Sequence, residues 1–170
     1  MEWTGQVFAD TPTVAARTTI EAPPEVVWAH VSDIHLMPAL STELRHVEWL
    51  DGATGPRPGN RFLGRNGHPS LGSWETISTV VECARPRTFA WAVGDPDVPS
   101  ALWRFTLHEQ GTGTLLEQTA QLGPGPSGLS LAIGAMPDKE QKIVFVRLRE
   151  FETGMIANLA AIRRLAESAA

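Results

Sequence analysis

Apolar residues recur at spacings of three and four near the end of the chain: Val144, Leu148, Phe151, Met155, Leu159, Ile162 and Leu165. Arg147, Glu150, Arg163, Arg164 and Glu167 occupy the other sides. This period marks one face of an α-helix. It predicts a helix from Asp138 to Glu167, with Pro137 before it and Gln141 three residues after Asp138 as a capping box. About thirty residues at 1.5 Å each make a rod of roughly 45 Å, enough to cross a small domain. Earlier the pattern changes to short alternating or apolar runs, which predict strands. These are Val14 to Glu21, Glu43 to Asp51, Asn60 to Asn66, Gly72 to Cys83, Thr88 to Val93, Ala101 to Glu109 and Thr114 to Leu122. After the first strand, Ala22-Pro23-Pro24 breaks the chain and starts a short helix, Glu25 to Val31, and Asp33 caps a second that ends near Pro38 to Ser41. The links Ala84-Arg85-Pro86 and Gln110-Gly111-Thr112-Gly113 are short and turn-like, so neighbouring strands pair antiparallel. The predicted class is α+β: a curved antiparallel sheet of about seven strands, two short helices, and a long C-terminal helix that encloses a cavity against the concave face.

Strand parity names a lining for that cavity. Phe62 and Asn66 share a face of the third strand; Trp91 lies on the fifth; Trp103 and Phe105 on the sixth; Gln118 on the last. Trp74 belongs to a strand whose two faces are both mixed. From the helix, Phe151 and Met155 would face them together with Leu148. Taken singly, each aromatic reads as a core residue. As a set they share one face, and Trp is rarely packed completely; that a partial cavity lies there is what the family resemblance given below implies. Gln118 and Asn66 carry more information, since an unpaired buried polar group costs about 1–3 kcal/mol. Each either bonds a ligand carbonyl or hydroxyl or is satisfied by a neighbouring backbone group. Arg147 and Glu150 could reach the cavity rim, but the first reading is a solvated helical pair.

The stretch from Gly123 to Pro137 is long for a connection inside a compact domain. Its first part, Gly123 to Gly128, is rich in Gly and Pro; Leu129, Ala132, Ile133 and Met136 then follow helical spacing. The expectation is a lid over 123–137, with Ile133 and Met136 facing the cavity.

Composition narrows the classes. A chain of 170 residues is read as a single domain over 1–170, with an N-terminal extension over 1–13. The net charge of −5 and the absence of a Lys/Arg stripe argue against nucleic acid as a partner. No apolar run reaches membrane-spanning length, and no signal peptide is read at the start, so a cytoplasmic location is expected. One cysteine, Cys83, excludes an internal disulfide. His30, His35, His46, His68 and His108 show no metal-ligand spacing on one element, so neither a metal nor another cofactor is expected. Glu75 and Glu117 could approach across strands, but both have outward parity.

The run Ile20-Glu21-Ala22-Pro23-Pro24-Glu25-Val26-Val27-Trp28 with Asp33, then Val47-Glu48-Trp49-Leu50-Asp51-Gly52, Gly59-Asn60-Arg61-Phe62 and Arg87-Thr88-Phe89-Ala90-Trp91, resembles the polyketide cyclase/dehydrase family. That family lies in the START-related (SRPBCC) superfamily of helix-grip folds. The resemblance runs from about Val14 to Glu167 and departs at Met37-Pro38-Ala39-Leu40-Ser41, where many relatives carry a Trp. It implies a helix-grip fold with a hydrophobic interior. Two functions follow. The primary reading is binding of a small, largely apolar molecule such as a lipid, isoprenoid or aromatic polyketide. The alternative is a metal-free cyclase or dehydratase acting on a poly-β-ketone in the same cavity. Cyclisation requires a base to enolise a carbon acid, and neither Asn66 nor Gln118 is one. Besides the small molecule, a second copy of the chain is left open as a partner.

Overall fold

The computed structural model describes residues 2–69 and 72–168; the outermost residues of the expected 1–170 domain lie outside these. Seven strands form one antiparallel sheet in the order β1-β7-β6-β5-β4-β3-β2. They are β1 (Thr13–Ile20), β2 (Leu44–Trp49), β3 (Arg61–His68), β4 (Gly72–Ala84), β5 (Thr88–Val93), β6 (Ala101–Gln110) and β7 (Gly113–Leu122). From β2 to β7 each strand pairs antiparallel with the next, as expected across the two short turn-like links, β4–β5 and β6–β7. Register shifts at Leu44/His46 and Val80/Glu82 mark bulges, and bulges bend and twist a sheet. The result is a helix-grip fold. The chain passes between the two edge strands through α1 (Pro24–Val31), a 3₁₀ turn (Ile34–Leu36) and α2 (Met37–Leu40). The Asp33 side chain caps that turn by accepting from the His35 amide at 2.9 Å. Trp28 anchors α1, edge-on to Phe89 with ring centroids 6.4 Å apart.

Helices α3 (Gly128–Ala135) and α4 (Glu140–Ser168) complete the chain. Between them Pro137–Lys139 forms a 3₁₀ turn. The long helix therefore starts at Glu140 rather than Asp138, because proline opens the tighter turn first. Its buried face is Val144, Leu148, Met155, Leu159, Ile162 and Ala166. Leu165, expected on this stripe, is 41% exposed, and Ala166 takes the core position. Two anchors hold the helix at its ends. The Glu140 carboxylate accepts from the Phe8 amide at 2.9 Å, and Trp3 packs on Phe145 with centroids 5.0 Å apart, so the N-terminal extension lies against the start of α4. At the far end Glu167 accepts from the Glu21 amide at 3.0 Å. That hydrogen bond, opposed by partial desolvation and aided by Arg163, holds the Glu167 carboxyl below its ordinary pKa.

Glu75 and Glu117 are not neighbours, because β4 and β7 are separated by two strands. Each pairs instead with an arginine directly across from it, Arg65 and Arg17 respectively. Cys83 is half-buried, its thiol pushed up by burial.

Candidate functional site

Alternation along the strands puts one set of aromatic rings on the concave face, and the register stacks them side by side. Trp91 pairs with Trp103 across β5 and β6, and the two rings lie nearly parallel with centroids 6.2 Å apart. Phe62, Phe89 and Phe105 close around Trp91 at 6.3, 5.5 and 6.0 Å. From α4, Phe151 meets Trp103 at 4.8 Å, and Met155 is buried in the same core. The helix packs closely on β1, and to a lesser extent on β7, α1 and α2; its backbone contacts with β2–β6 are marginal at most. Over that half of the sheet, side chains rather than backbone fill the distance to the helix.

Gln118 is buried at the centre of β7, between Ala16 of β1 and Phe105 of β6. Its carbonyl oxygen accepts from Asn158 Nδ2 on α4 at 3.4 Å. Among the described residues, Asn158 Oδ1 is a buried side-chain atom without a hydrogen-bond partner. Asn158 is absent from the sequence-derived lining, although a signal was present: it lies seven residues after Phe151, so the helical period puts it on the apolar stripe.

A charged network lies beside Phe151, where α4 meets the start of β2. Glu43 precedes β2, His68 ends β3, and Arg147 and Glu150 lie on α4. Arg147 grips Glu43 with both terminal nitrogens, at 2.6 and 2.8 Å. It also donates to Glu150 at 2.9 Å, and its guanidinium stacks over Phe151 at 4.4 Å. His68 Nε2 lies 3.9 Å from Glu150. Contrary to the expectation of a solvated helical pair, the Arg147 side chain is only 13% exposed. Burial alone would lower its pKa, but the bonds to Glu43 and Glu150 outweigh this and raise it. Glu43, His68 and Glu150 also bring potential metal-ligand atoms within 4.8 Å of one another. The Arg147 guanidinium already bonds both carboxylates and offsets one of their two charges, which weakens the attraction for a cation. Helical spacing puts Arg147 and Glu150 within reach of each other, but no sequence signal joins Glu43 and His68 to them, since these lie just before β2 and at the end of β3.

The remaining expected site residues are spread more widely. Asn66 and Trp74 are cross-strand partners at the far end of the face. The Asn66 amide is satisfied locally by Thr76 Oγ1 and the Gly64 carbonyl, at 3.3 and 3.4 Å. Ile133 of α3 packs partly buried against the core. Met136 was expected to face the cavity, but it is 39% exposed, because it lies beyond the end of α3 where the backbone turns away. Open clefts lie outside the ring cluster. One of about 190 Å³ is lined by residues including Asp33, His35 and Trp49. Another of about 590 Å³ lies along the β2–β3 connection. No helix among the described residues is long and apolar enough to cross a membrane.

Residues 11–148 match the family described as polyketide cyclase / dehydrase and lipid transport. A polyketide-cyclase-like protein from Corynebacterium glutamicum, solved by solution NMR, is 31% identical with a TM-score of 0.65, over 91% of each chain. An aromatase/cyclase from Streptomyces sp. R1128 is 20% identical with a TM-score of 0.63, covering 92% of this chain and 93% of its own. A di-domain aromatase/cyclase from the steffimycin biosynthetic pathway is 12% identical with a TM-score of 0.69, covering 92% of this chain and 51% of its own. The likeness to these two cyclases is one of fold. No curated protein matches the sequence.

Proposed function

The chain belongs to the polyketide cyclase / dehydrase and lipid transport family, and on that premise we propose that it binds a small, largely apolar molecule between the sheet and α4. The candidates are a lipid, an isoprenoid or an aromatic polyketide. One observation carries the reading: over β3–β6 the helix is held off the sheet by aromatic rings, not by backbone packing. A flat apolar ligand inserted beside Trp91 and Trp103 would exchange ring–ring contacts for ligand–ring contacts at little cost. The ion pairs beside Phe151 bridge Glu43 to α4 and would close over it.

Residues 123–137 are proposed as the lid. Gly125 pins the start of this segment: its amide donates to Pro99 O at 2.8 Å, and a Cβ there would fall 2.1 Å from Val98 O. The helix that follows has no buried residue, and Leu131 is 78% exposed. A helix this short depends on its docking surface, which suits it to open and reclose.

The second reading is cyclisation or dehydration of a poly-β-ketone at the same place. It is favoured by the convergence of Glu43, His68 and Glu150, where proton-accepting groups stand beside the ring cluster. One experiment addresses both readings. Small molecules are extracted from the purified protein, identified by mass spectrometry and added back. Binding alone should return the molecule unchanged, alter tryptophan emission and slow amide exchange over 129–136. A Trp91→Phe/Trp103→Phe double variant should lose most of the emission change. Recovery of a cyclised or dehydrated product would establish the second reading. An emission change equal in wild type and double variant would remove these two rings from the site.

A further inference from the structure

Asn158 carries an unusual polar group for the interior of an apolar site. Its amide nitrogen is directed at Gln118 Oε1, 3.4 Å away. Its oxygen is buried and meets no donor. Buried polar side chains are nearly always paired, and an exception marks a place where a water or a ligand belongs. The position is set by both sides of the interior. Asn158 follows Met155 by one helical turn and Phe151 by two, and Gln118 sits beside Phe105 on the sheet. The open acceptor therefore stands at the edge of the ring cluster.

We propose that Asn158 Oδ1 selects ligands that present a hydroxyl, or another hydrogen-bond donor, at this depth; the inference rests on the ligand-binding reading above. One Nδ2 hydrogen of Asn158 is committed to Gln118, and Oδ1 is the acceptor left without a partner. A ligand hydroxyl satisfies it. A ketone, an ether or a hydrocarbon at the same point leaves Oδ1 unpaired, even where the second Nδ2 hydrogen reaches a ligand oxygen. Sites built to pair with a ligand hydroxyl discriminate strongly against analogues that lack it. The class indicated is thus a phenol, enol or alcohol with a flat apolar body. Gln118 serves as a positioning residue: its carbonyl holds the Asn158 nitrogen, which fixes the direction of the oxygen.

The test uses two probes of nearly equal shape, 2-naphthol and 2-methylnaphthalene, titrated into the full chain with tryptophan emission as the readout. The ratio of their Kd values should shift by about tenfold towards the hydrocarbon in Asn158→Leu, the loss of one buried hydrogen bond. 2-Methoxynaphthalene, an acceptor without a donor, should depend on Asn158 less than 2-naphthol does. As a check free of folding effects, the Asn158 side-chain amide resonances of the unaltered protein should move with 2-naphthol and stay with 2-methylnaphthalene. If both probes bind and the ratio is the same in wild type and variant, a trapped water satisfies Oδ1 and the inference is overturned, while the ligand-binding reading stands. If neither probe binds, both fall together.

Discussion

Leu159→Ala is expected to lower the free energy of unfolding by about 2–5 kcal/mol, the range for large-to-small substitutions in a packed core. Leu159 is 1% exposed on the half of α4 that packs on β1 and α1. Its neighbours on the stripe, Met155 and Ile162, are 2% and 0% exposed, so the cavity left behind has walls on all sides. Helix and strands are too rigid to collapse into it, which places the cost towards the upper part of the range. Leu165→Ala serves as the control. That side chain is 41% exposed, and its loss should change stability by no more than about 0.5 kcal/mol. Chemical denaturation of both variants reads the difference. Equal effects would show that the buried stripe ends at Leu165 rather than Ala166.

Removing Arg147 should have the second-largest effect. The guanidinium is 13% exposed and the Glu43 side chain 21%, so the pair is intermediate between a solvated surface bridge, at about 0–1 kcal/mol, and a fully buried one, at about 3–5 kcal/mol when one partner is deleted. Arg147→Met keeps an apolar stem but removes the guanidinium from Phe151 and leaves Glu43 and Glu150 without their shared cation. A loss of about 1–3 kcal/mol is expected. Adding Glu43→Gln should recover part of it, because one of the two stranded charges is then gone. Arg147→Lys should fall between wild type and Met, since an ammonium cannot reproduce the two-point grip on Glu43. A double-mutant cycle with no coupling between Arg147 and Glu43 would reduce the network to a surface decoration.

The two predictions differ in how they could be reached. The place of Leu159 follows from spacing alone. Apolar residues every three or four positions can be buried together only on a helix, and a helix with such a face must cover a sheet or another helix. The strands, their antiparallel order and the inward parity of Phe62, Trp91, Trp103, Phe105 and Gln118 are legible for the same reason: they depend on periods of two and on short turns. Errors arose at element ends. Pro137 opens a 3₁₀ turn before the helix, Leu165 lies three positions after Ile162 where the core position falls four after it, at Ala166, and Met136 was counted on a helical face that ends one residue before it.

The site is different in kind. Local pattern determines which face of an element a residue occupies, but it does not determine which element lies opposite. Glu43 and Arg147 are 104 positions apart, and their contact exists only because α4 crosses the sheet close to the start of β2. The pairing of Gln118 with Asn158 likewise needs the angle at which the helix lies across β7. From sequence, Gln118 could be placed inside without a partner, and the helical period puts Asn158 on the apolar stripe without saying what faces it. Burial is a property of a surface that two elements share, and the free energy that makes an unpaired amide oxygen significant appears only once both have closed over it. The fold, the long helix and the ring-bearing face can be read from spacing along single elements; the Arg147–Glu43 network and the unpaired Asn158 oxygen arise where distant elements meet, and spacing along one element does not say which element lies opposite.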